Sequence, residues 1–263
     1  MNKSHILKSF VYGSLIAAIV YAYATGEWYL FLVSLGIGLV NQIIGHSIAL
    51  HRYFTHSAFK TTPVKSRVLL LWSILCGLGD PFGYVMTHRS HHANSDTAND
   101  PHSPAQIGFW RVLFTLEDVK HKQQRDKAIN IGKYFPDELK KDSWAVFIRK
   151  YYFYIWAALI VVVGAIGGLP AVLFGLGVPC FVVLMAGGMV NSFGHMTDFG
   201  YRTFNTKDQS CNSWLGNLLS FGEGYQNNHH HRPKAPNFAM KPGEFDLNWV
   251  IIKHLFMTKT NAQ

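Results

Sequence analysis

Charged residues and cysteines are both scarce in this sequence. Only 15% of its 263 residues are Asp, Glu, Lys or Arg, whereas an average globular domain has about a quarter. Three cysteines without paired spacing exclude a disulfide scaffold and a thiolate zinc module. Hydrophobic residues make up 49% of the chain, which excludes disorder, and histidine is abundant, with 14 copies. We therefore expect a membrane protein with a site built from histidines.

Four apolar stretches approach the length of roughly 20 residues that an α-helix needs to cross a bilayer. These stretches are 6–24, 28–50, 151–169 and 171–190. The last two contain no charged residue, and Gly167, Gly168 and Pro170 predict a tight turn between them. A fifth run, from Val68 to Gly79, has only 12 residues and suits an interfacial or buried helix.

The basic residues predict the orientation of these spans. Of the 24 Lys and Arg, Lys3 precedes the first span and Lys8 lies at its start, 15 lie from Arg52 to Lys150, and seven follow the fourth span. The two remaining connections hold none, so the positive-inside rule places both termini, 51–150 and 191–263 in the cytoplasm. This orientation explains the net charge of +9 without nucleic-acid binding. The first span also resembles a signal peptide cleaved after Ala22-Tyr23-Ala24, but cleavage leaves three spans, so we expect it to be retained.

The histidines form clusters at or beyond the cytoplasmic ends of the predicted spans. They are His51 and His56 in an H-x4-H pair, His88, His91 and His92 in H-x-x-H-H, His195 just after the fourth span, and the run His229, His230 and His231. Spacings of three and four place the members of the second cluster on one helical face. All clusters can meet in one centre only if the run from Val68 to Gly79 does not cross the membrane.

This many histidines indicates a metal centre. Neutral imidazoles suit zinc, copper, iron and nickel, and they exclude an oxygen-only calcium or magnesium site. A catalytic zinc takes only three protein ligands, so at least eight clustered histidines favour two six-coordinate ions. Two irons that activate dioxygen are the preferred candidate, and the spacing leaves two zincs open. Such a centre in a membrane indicates oxidation of a lipid-borne substrate. A non-catalytic metal carrier is the alternative, although its ligands should lie near the bilayer midplane.

Two further histidines stand apart from the clusters. His46 lies inside the second span, where an ionisable residue is a functional candidate. A hydrogen bond to Asn41 or to the backbone explains it as well, and we favour that interpretation over metal binding. His102, in Asp100-Pro101-His102, suits a loop residue that supports a metal ligand.

Five motifs resemble those of the membrane fatty acid desaturases, in particular the stearoyl-CoA (Δ9) branch and its bacterial relatives. In chain order they are His51-Arg52-Tyr53-Phe54-Thr55-His56, Asp80-Pro81 with His88-Arg89-Ser90-His91-His92, Ser95-Asp96-Thr97 to Asp100-Pro101-His102, Asn191-Ser192-Phe193-Gly194-His195 with Gly200-Tyr201-Arg202, and Gly222-Glu223-Gly224-Tyr225-Gln226-Asn227-Asn228-His229-His230. The match extends from about Gly45 to Pro233, and five motifs in this order are far more specific than one.

The resemblance implies an all-α integral membrane protein, in which four transmembrane helices carry a cytoplasmic helical cap with a di-iron site. It implies one desaturase domain over residues 1–263, in the inner membrane if the cell is bacterial. Carried over by position, the iron ligands are His51, His56, His88, His91, His92, His195, His229 and His230, with Asn191 contacting one iron through water. The implied reaction uses O2 to introduce a cis double bond, at Δ9, into a saturated long-chain acyl-CoA in a narrow tunnel. A membrane di-iron hydroxylase is the nearest alternative, because both reactions begin with the same hydrogen abstraction.

Gln226 departs from the stearoyl-type pattern, which has a ninth histidine at this position. A glutamine carbonyl oxygen is a weaker iron ligand than imidazole. Either one iron is more open in this chain, or His231 takes part through a shifted register. We favour the first, because a shift disturbs the spacing of Glu223 and Asn227 from the paired histidines.

The source of electrons is the last expectation from the sequence. The chain has no cytochrome b5-like segment, so we expect two electrons per turnover from a separate donor such as a ferredoxin or cytochrome b5 with its reductase. The basic cytoplasmic face could steer an acidic donor of this kind.

Overall fold

The computed structural model describes residues 3–116 and 131–258, and helices dominate both ranges. In chain order the helices are α1 (Lys3–Thr25), α2 (Leu30–Val40) with a π-helical continuation (Asn41–Thr55), α3 (Pro63–Ile74), α4 (Pro81–Asn94), α5 (Pro104–Ile107), α6 (Phe109–Leu113), α7 (Asp137–Lys140), α8 (Ser143–Val172), a π-helical turn (Leu173–Gly177), α9 (Val178–Gly194), α10 (Trp214–Asn217), α11 (Gln226–His231), and α12 (Leu247–Ile251) with a π-helical end (Ile252–Phe256). The predicted cap residues 117–130 and 259–263 lie outside the described ranges.

Three helical stretches within the described residues are long and apolar enough to cross a membrane. They are Ile6–Thr25, Leu30–Thr55 and Ser143–Gly194. The third has 52 residues and leaves helical geometry at Gly168, where φ is 66° and ψ is −164°. Pro170, two residues later, has no backbone N–H to continue the helix. The helix therefore breaks where the sequence predicted a turn.

The short apolar run forms α3 and the turns after it, as predicted for a helix that does not span the bilayer. Pro63 stands in the first turn, and the Thr62 side chain caps the helix by accepting a hydrogen bond from the Lys65 N–H. The helix buries Leu69 and Leu70 against the end of the second apolar stretch. The chain therefore returns to the end of that stretch before α4 begins.

Helix α4 contains the second histidine motif and packs against the segment that contains the first. Its N-terminus is capped by Asp80, whose carboxylate accepts hydrogen bonds from the N–H groups of Phe82 (3.0 Å) and Gly83 (3.3 Å). The helix packs along Asn41–Thr55. Its histidines consequently face the end of that π-helical segment, where His51 and His56 lie.

Gly188 allows α9 to approach the C-terminal end of α6 at backbone distance. A β-carbon at Gly188 would overlap the carbonyl oxygen of Leu113. We expect Gly188→Ala to lower the free energy of unfolding by about 1–3 kcal/mol, the usual cost of overpacking. Thermal unfolding in detergent measures this effect.

Gly36→Ala is the matched control for this variant. A β-carbon at Gly36 has no atom within 4 Å, and alanine favours helix over glycine. Its unfolding midpoint should therefore equal or exceed that of the wild type. Equal midpoints for the two variants would contradict the close contact at Gly188.

Candidate metal centre

Five histidines from three separate elements place their ring nitrogens together. We call them cluster A: His51, His56, His88, His92 and His229, whose candidate ligand atoms all lie within 4.8 Å of one another. The Nε2 atom of His229 is 3.0 Å from Nε2 of His51 and 2.9 Å from Nε2 of His92. The Nε2 atoms of His92 and His88 are also 3.0 Å apart. The nitrogens thus converge on one small space.

Three further histidines form cluster B beside the first. They are His91 from α4, His195 at the end of α9, and His230 from α11. Their ring centroids are 4.8 to 5.1 Å apart. The Nε2 atom of each ring is buried without a hydrogen-bond partner. Three unpaired nitrogens in one buried space are costly unless something binds them.

A carboxylate supports every ring of cluster B from behind. The pairs are His91 with Asp100 (2.9 Å), His195 with Asp96 (3.0 Å) and His230 with Asp208 (2.6 Å), in each case through Nδ1. Burial alone raises the pKa of Asp208, but its contacts with His230 outweigh burial, so the pKa lies well below the usual range. An ionised carboxylate accepts a hydrogen bond from the Nδ1–H group, which keeps its proton, and the Nε2 lone pair is left free for a metal.

Cluster A has a corresponding support at His51. The buried carboxylate of Glu223 accepts hydrogen bonds from His51 Nδ1, from the Ser47 hydroxyl and from Arg52 Nε. Burial raises the pKa of Glu223, but the charge of Arg52 and the hydrogen bonds from His51 and Ser47 outweigh it and hold the pKa well below its usual value. Arg52, which has no exposed surface, also donates to Asp246 at 2.8 Å.

The chemistry of both clusters fits metal ions. Burial lowers the pKa of four cluster A rings well below the ordinary value, so the rings are neutral, as metal ligands must be. These rings are His56, His88, His92 and His229. The nitrogen separations of 2.9 to 3.0 Å match two ligands about 2.1 Å from one ion at a right angle. A tetrahedral angle would separate such ligands by about 3.4 Å.

The structure brings all eight histidines that the resemblance implied into the two clusters. Asn191 and Gln226 lie in the wall of the adjoining cavity. The Nε2 group of Gln226 donates to the backbone carbonyl of Glu223 at 2.7 Å. His231 is exposed, and its ring stacks on Phe204 with centroids 3.9 Å apart. His231 thus lies outside both clusters.

His46 lies outside both clusters, and its predicted hydrogen-bond partner was wrong. Its Nδ1 atom is 2.8 Å from Gln42 Oε1, and its Nε2 atom is 2.8 Å from the Tyr84 hydroxyl. Asn41 instead accepts a hydrogen bond from the Trp72 indole at 3.1 Å. The reason is geometric, because Gln42 is four residues from His46 and lies one helical turn away on the same face.

His102 lies in the loop after α4, as predicted. Its ring centroid is 4.6 Å from that of His91, and its backbone N–H donates to Asp100 at 3.0 Å. His102 thus borders cluster B together with the carboxylate that orients His91.

Sequence reasoning missed the roles of several carboxylates. Asp96 and Asp100 stood in a recognised motif, and that motif was the available signal for their supporting role. Asp208 and Asp246 stood in no motif, and their partners His230 and Arg52 are 22 and 194 residues away. No spacing rule connects residues at such separations.

A cavity of about 400 Å³ adjoins cluster A. His51, His88, Asn191 and Gln226 form one part of its wall. The remaining wall comes largely from α1, α8, α9 and the turn after α3, and includes Leu7, Leu78, Phe153, Leu184 and Val190. Its size and mainly apolar lining are typical of a site for a small hydrophobic ligand.

Comparisons with known proteins agree with this arrangement. A family model described as fatty acid desaturase matches residues 26–242. An acyl-CoA C20 Delta5-desaturase of Anemone leveillei is 31% identical over 259 residues, which are 97% of this chain and 80% of that protein. An sn-1 stearoyl-lipid 9-desaturase of Anabaena variabilis is 32% identical over 212 residues, which are 81% of this chain and 75% of that protein.

A third relative shows the range of positions and substrates among these enzymes. The chloroplastic palmitoyl-monogalactosyldiacylglycerol delta-7 desaturase of Arabidopsis thaliana is 31% identical over 231 residues, 87% of this chain and 60% of that protein. The chain thus spans 60 to 80% of the length of these three relatives. The three relatives described above are named for acyl-CoA or acyl-lipid substrates. The chain belongs to the fatty acid desaturase family of oxidoreductases.

Proposed function

We propose that the protein is an O2-dependent di-iron desaturase that introduces a cis double bond, at Δ9, into a saturated long-chain acyl-CoA. The observation that carries this proposal is the convergence of two carboxylate-supported histidine clusters beside an apolar cavity. Cluster A would hold one iron and cluster B the other, and Asn191 would contact one of them through water. The bound irons supply dioxygen activation, which the side chains alone cannot provide.

The residues around the irons have positioning roles in this proposal. Asp96, Asp100 and Asp208 fix the cluster B rings through Nδ1, and Glu223 fixes His51. The cavity holds the acyl chain against cluster A and excludes water from the reacting carbons. Gln226 donates its Nε2–H to the Glu223 carbonyl, and its amide oxygen, a weaker ligand than imidazole, would leave one iron more open.

We propose four transmembrane helices, with both termini and the cap in the cytoplasm. The 52-residue apolar stretch supports this topology, since it is long enough for two crossings and breaks at Gly168. The distribution of Lys and Arg supports the orientation. A separate ferredoxin or cytochrome b5 with its reductase then delivers electrons from the cytoplasm.

Expression in a desaturase-deficient host tests the function. We expect new monounsaturated acyl chains, with the double bond located by gas chromatography–mass spectrometry after derivatisation, and about two irons per purified chain. Hydroxy acids without new alkenes would establish the hydroxylase instead. A double bond at the fifth or seventh carbon would correct the Δ9 assignment alone, and exchangeable zinc or copper without lipid oxidation would favour a metal carrier.

His91→Ala and His230→Ala should each reduce double-bond formation to background while the protein still inserts into the membrane. The reason is the loss of a cluster B nitrogen that no other residue replaces. His231→Ala is the matched control, because this neighbouring ring is exposed and stacks on Phe204. It should retain near-normal activity, and normal activity in either cluster variant would contradict the ligand assignment.

Gln226→His should bind iron at least as tightly as the wild type, because imidazole is a better iron ligand than an amide oxygen. Competition with a chelator measures the affinity. Gln226→Leu fills similar space without a donor and should show no gain. A clear loss of affinity in Gln226→His would argue that His231 contributes through a shifted register.

A further inference from the structure

A hydrogen bond between Tyr84 and His46 joins two helical elements in the cavity wall, one helical turn before the cluster A residues. We call this pair the bridge. The Tyr84 hydroxyl lies 2.8 Å from His46 Nε2, and both residues line the cavity. His46 precedes His51 by five residues in the π-helical segment, whose hydrogen bonds join residues five apart. Tyr84 precedes His88 by four residues in α4. The bridge thus joins the same two elements as the contact between His51 and His88.

The bridge is satisfied internally. Gln42 Oε1 can only accept, so His46 Nδ1 carries the proton and donates to it at 2.8 Å. His46 Nε2 therefore accepts the hydrogen bond from the Tyr84 hydroxyl. Gln42 and His46 are buried at 0% and 8% exposure. Both ring nitrogens of His46 and the Tyr84 hydroxyl are therefore paired, whereas the Nε2 atom of Gln42 is buried without a partner.

The rings of the bridge lie in the cavity wall beside cluster A. The Tyr84 ring lies nearly parallel to that of His88, with centroids 5.8 Å apart and planes inclined by 10°. The His46 ring lies close to α9, since a β-carbon at Gly187 of that helix would stand 3.7 Å from Cε1 of His46. Both rings therefore form part of the cavity wall within a turn of the cluster A ligands.

We propose that Tyr84 and His46 determine positional specificity, by fixing which carbons of the acyl chain lie beside cluster A. The proposal rests on the proposed function. The hydrogen bond holds the Tyr84 ring in one orientation, so the chain can seat in one register only. Without the bond the ring turns, the chain slides along the cavity, and neighbouring carbon pairs become reactive.

Product analysis of Tyr84→Phe and His46→Leu tests this role. Each variant removes the bond and leaves an apolar side chain in the wall. The ratio of minor to major positional isomers should rise about fivefold or more over the wild type. The double variant should resemble the single ones, because all three lack the same bond. The modified carbon of the acyl chain is located in the same way whether the product carries a double bond or a hydroxyl group.

Two controls separate this role from general destabilisation. His46→Gln keeps a side-chain partner for the Tyr84 hydroxyl and should restore the wild-type ratio. Tyr53→Phe also loses a tyrosine hydrogen bond, to Ser66 at 3.2 Å, but Tyr53 lies outside the cavity and its loss should leave the ratio unchanged.

The outcomes distinguish the two proposals. Modified lipid with the wild-type position in both Tyr84→Phe and His46→Leu would overturn the role of the bridge and leave the proposed function intact. An equal rise in the Tyr53→Phe ratio would also overturn it, since the effect would then not depend on the cavity. Absence of modified lipid from every chain, the wild type included, would overturn the proposed function and this inference together.

Discussion

The hydrogen bond from a buried imidazole Nδ1–H to a carboxylate is the interaction on which the site depends. It decides which ring nitrogen carries the proton, and therefore where the lone pair points. In cluster B all three rings have such a partner, and the three Nε2 atoms face one another. Packing alone would gain nothing from this convergence, because each unpaired buried nitrogen costs free energy. The carboxylates hold the rings in an arrangement whose stability depends on a bound ligand.

Cluster A is supported more sparsely and through a charge network. Glu223 orients His51, and Arg52 compensates the charge of Glu223 while contacting Asp246 and the ring of Phe238. A buried arginine is tolerable only when its charge is paired in this way. The two clusters therefore differ in construction, one resting on separate carboxylates and the other on a shared ionic network. This difference is consistent with two metal positions of unequal openness.

Much of this arrangement could be predicted from the sequence. The remainder could not, for physical reasons. The eight clustered histidines were predictable because each lies at the end of an apolar stretch or within a short motif. The π-helical geometry of Asn41–Thr55 was not, since composition does not report whether a backbone amide bonds four or five residues back. On an α-helix His51 and His56 would point about 140° apart. The contact of His46 with Tyr84 and that of His230 with Asp208 depend on tertiary packing, which local patterns do not encode.

The histidines of cluster A lie far apart in the sequence, and this separation has a consequence for biosynthesis. His51 and His229 approach within hydrogen-bond distance although 178 residues separate them, and Asp246 lies still later in the chain. The ribosome has thus made most of the polypeptide before the donor set is complete. No metal ion can therefore meet the full set of histidines until His229 and His230 have been synthesised. Until then the four earlier histidines of cluster A lack the ring that approaches His51 and His92.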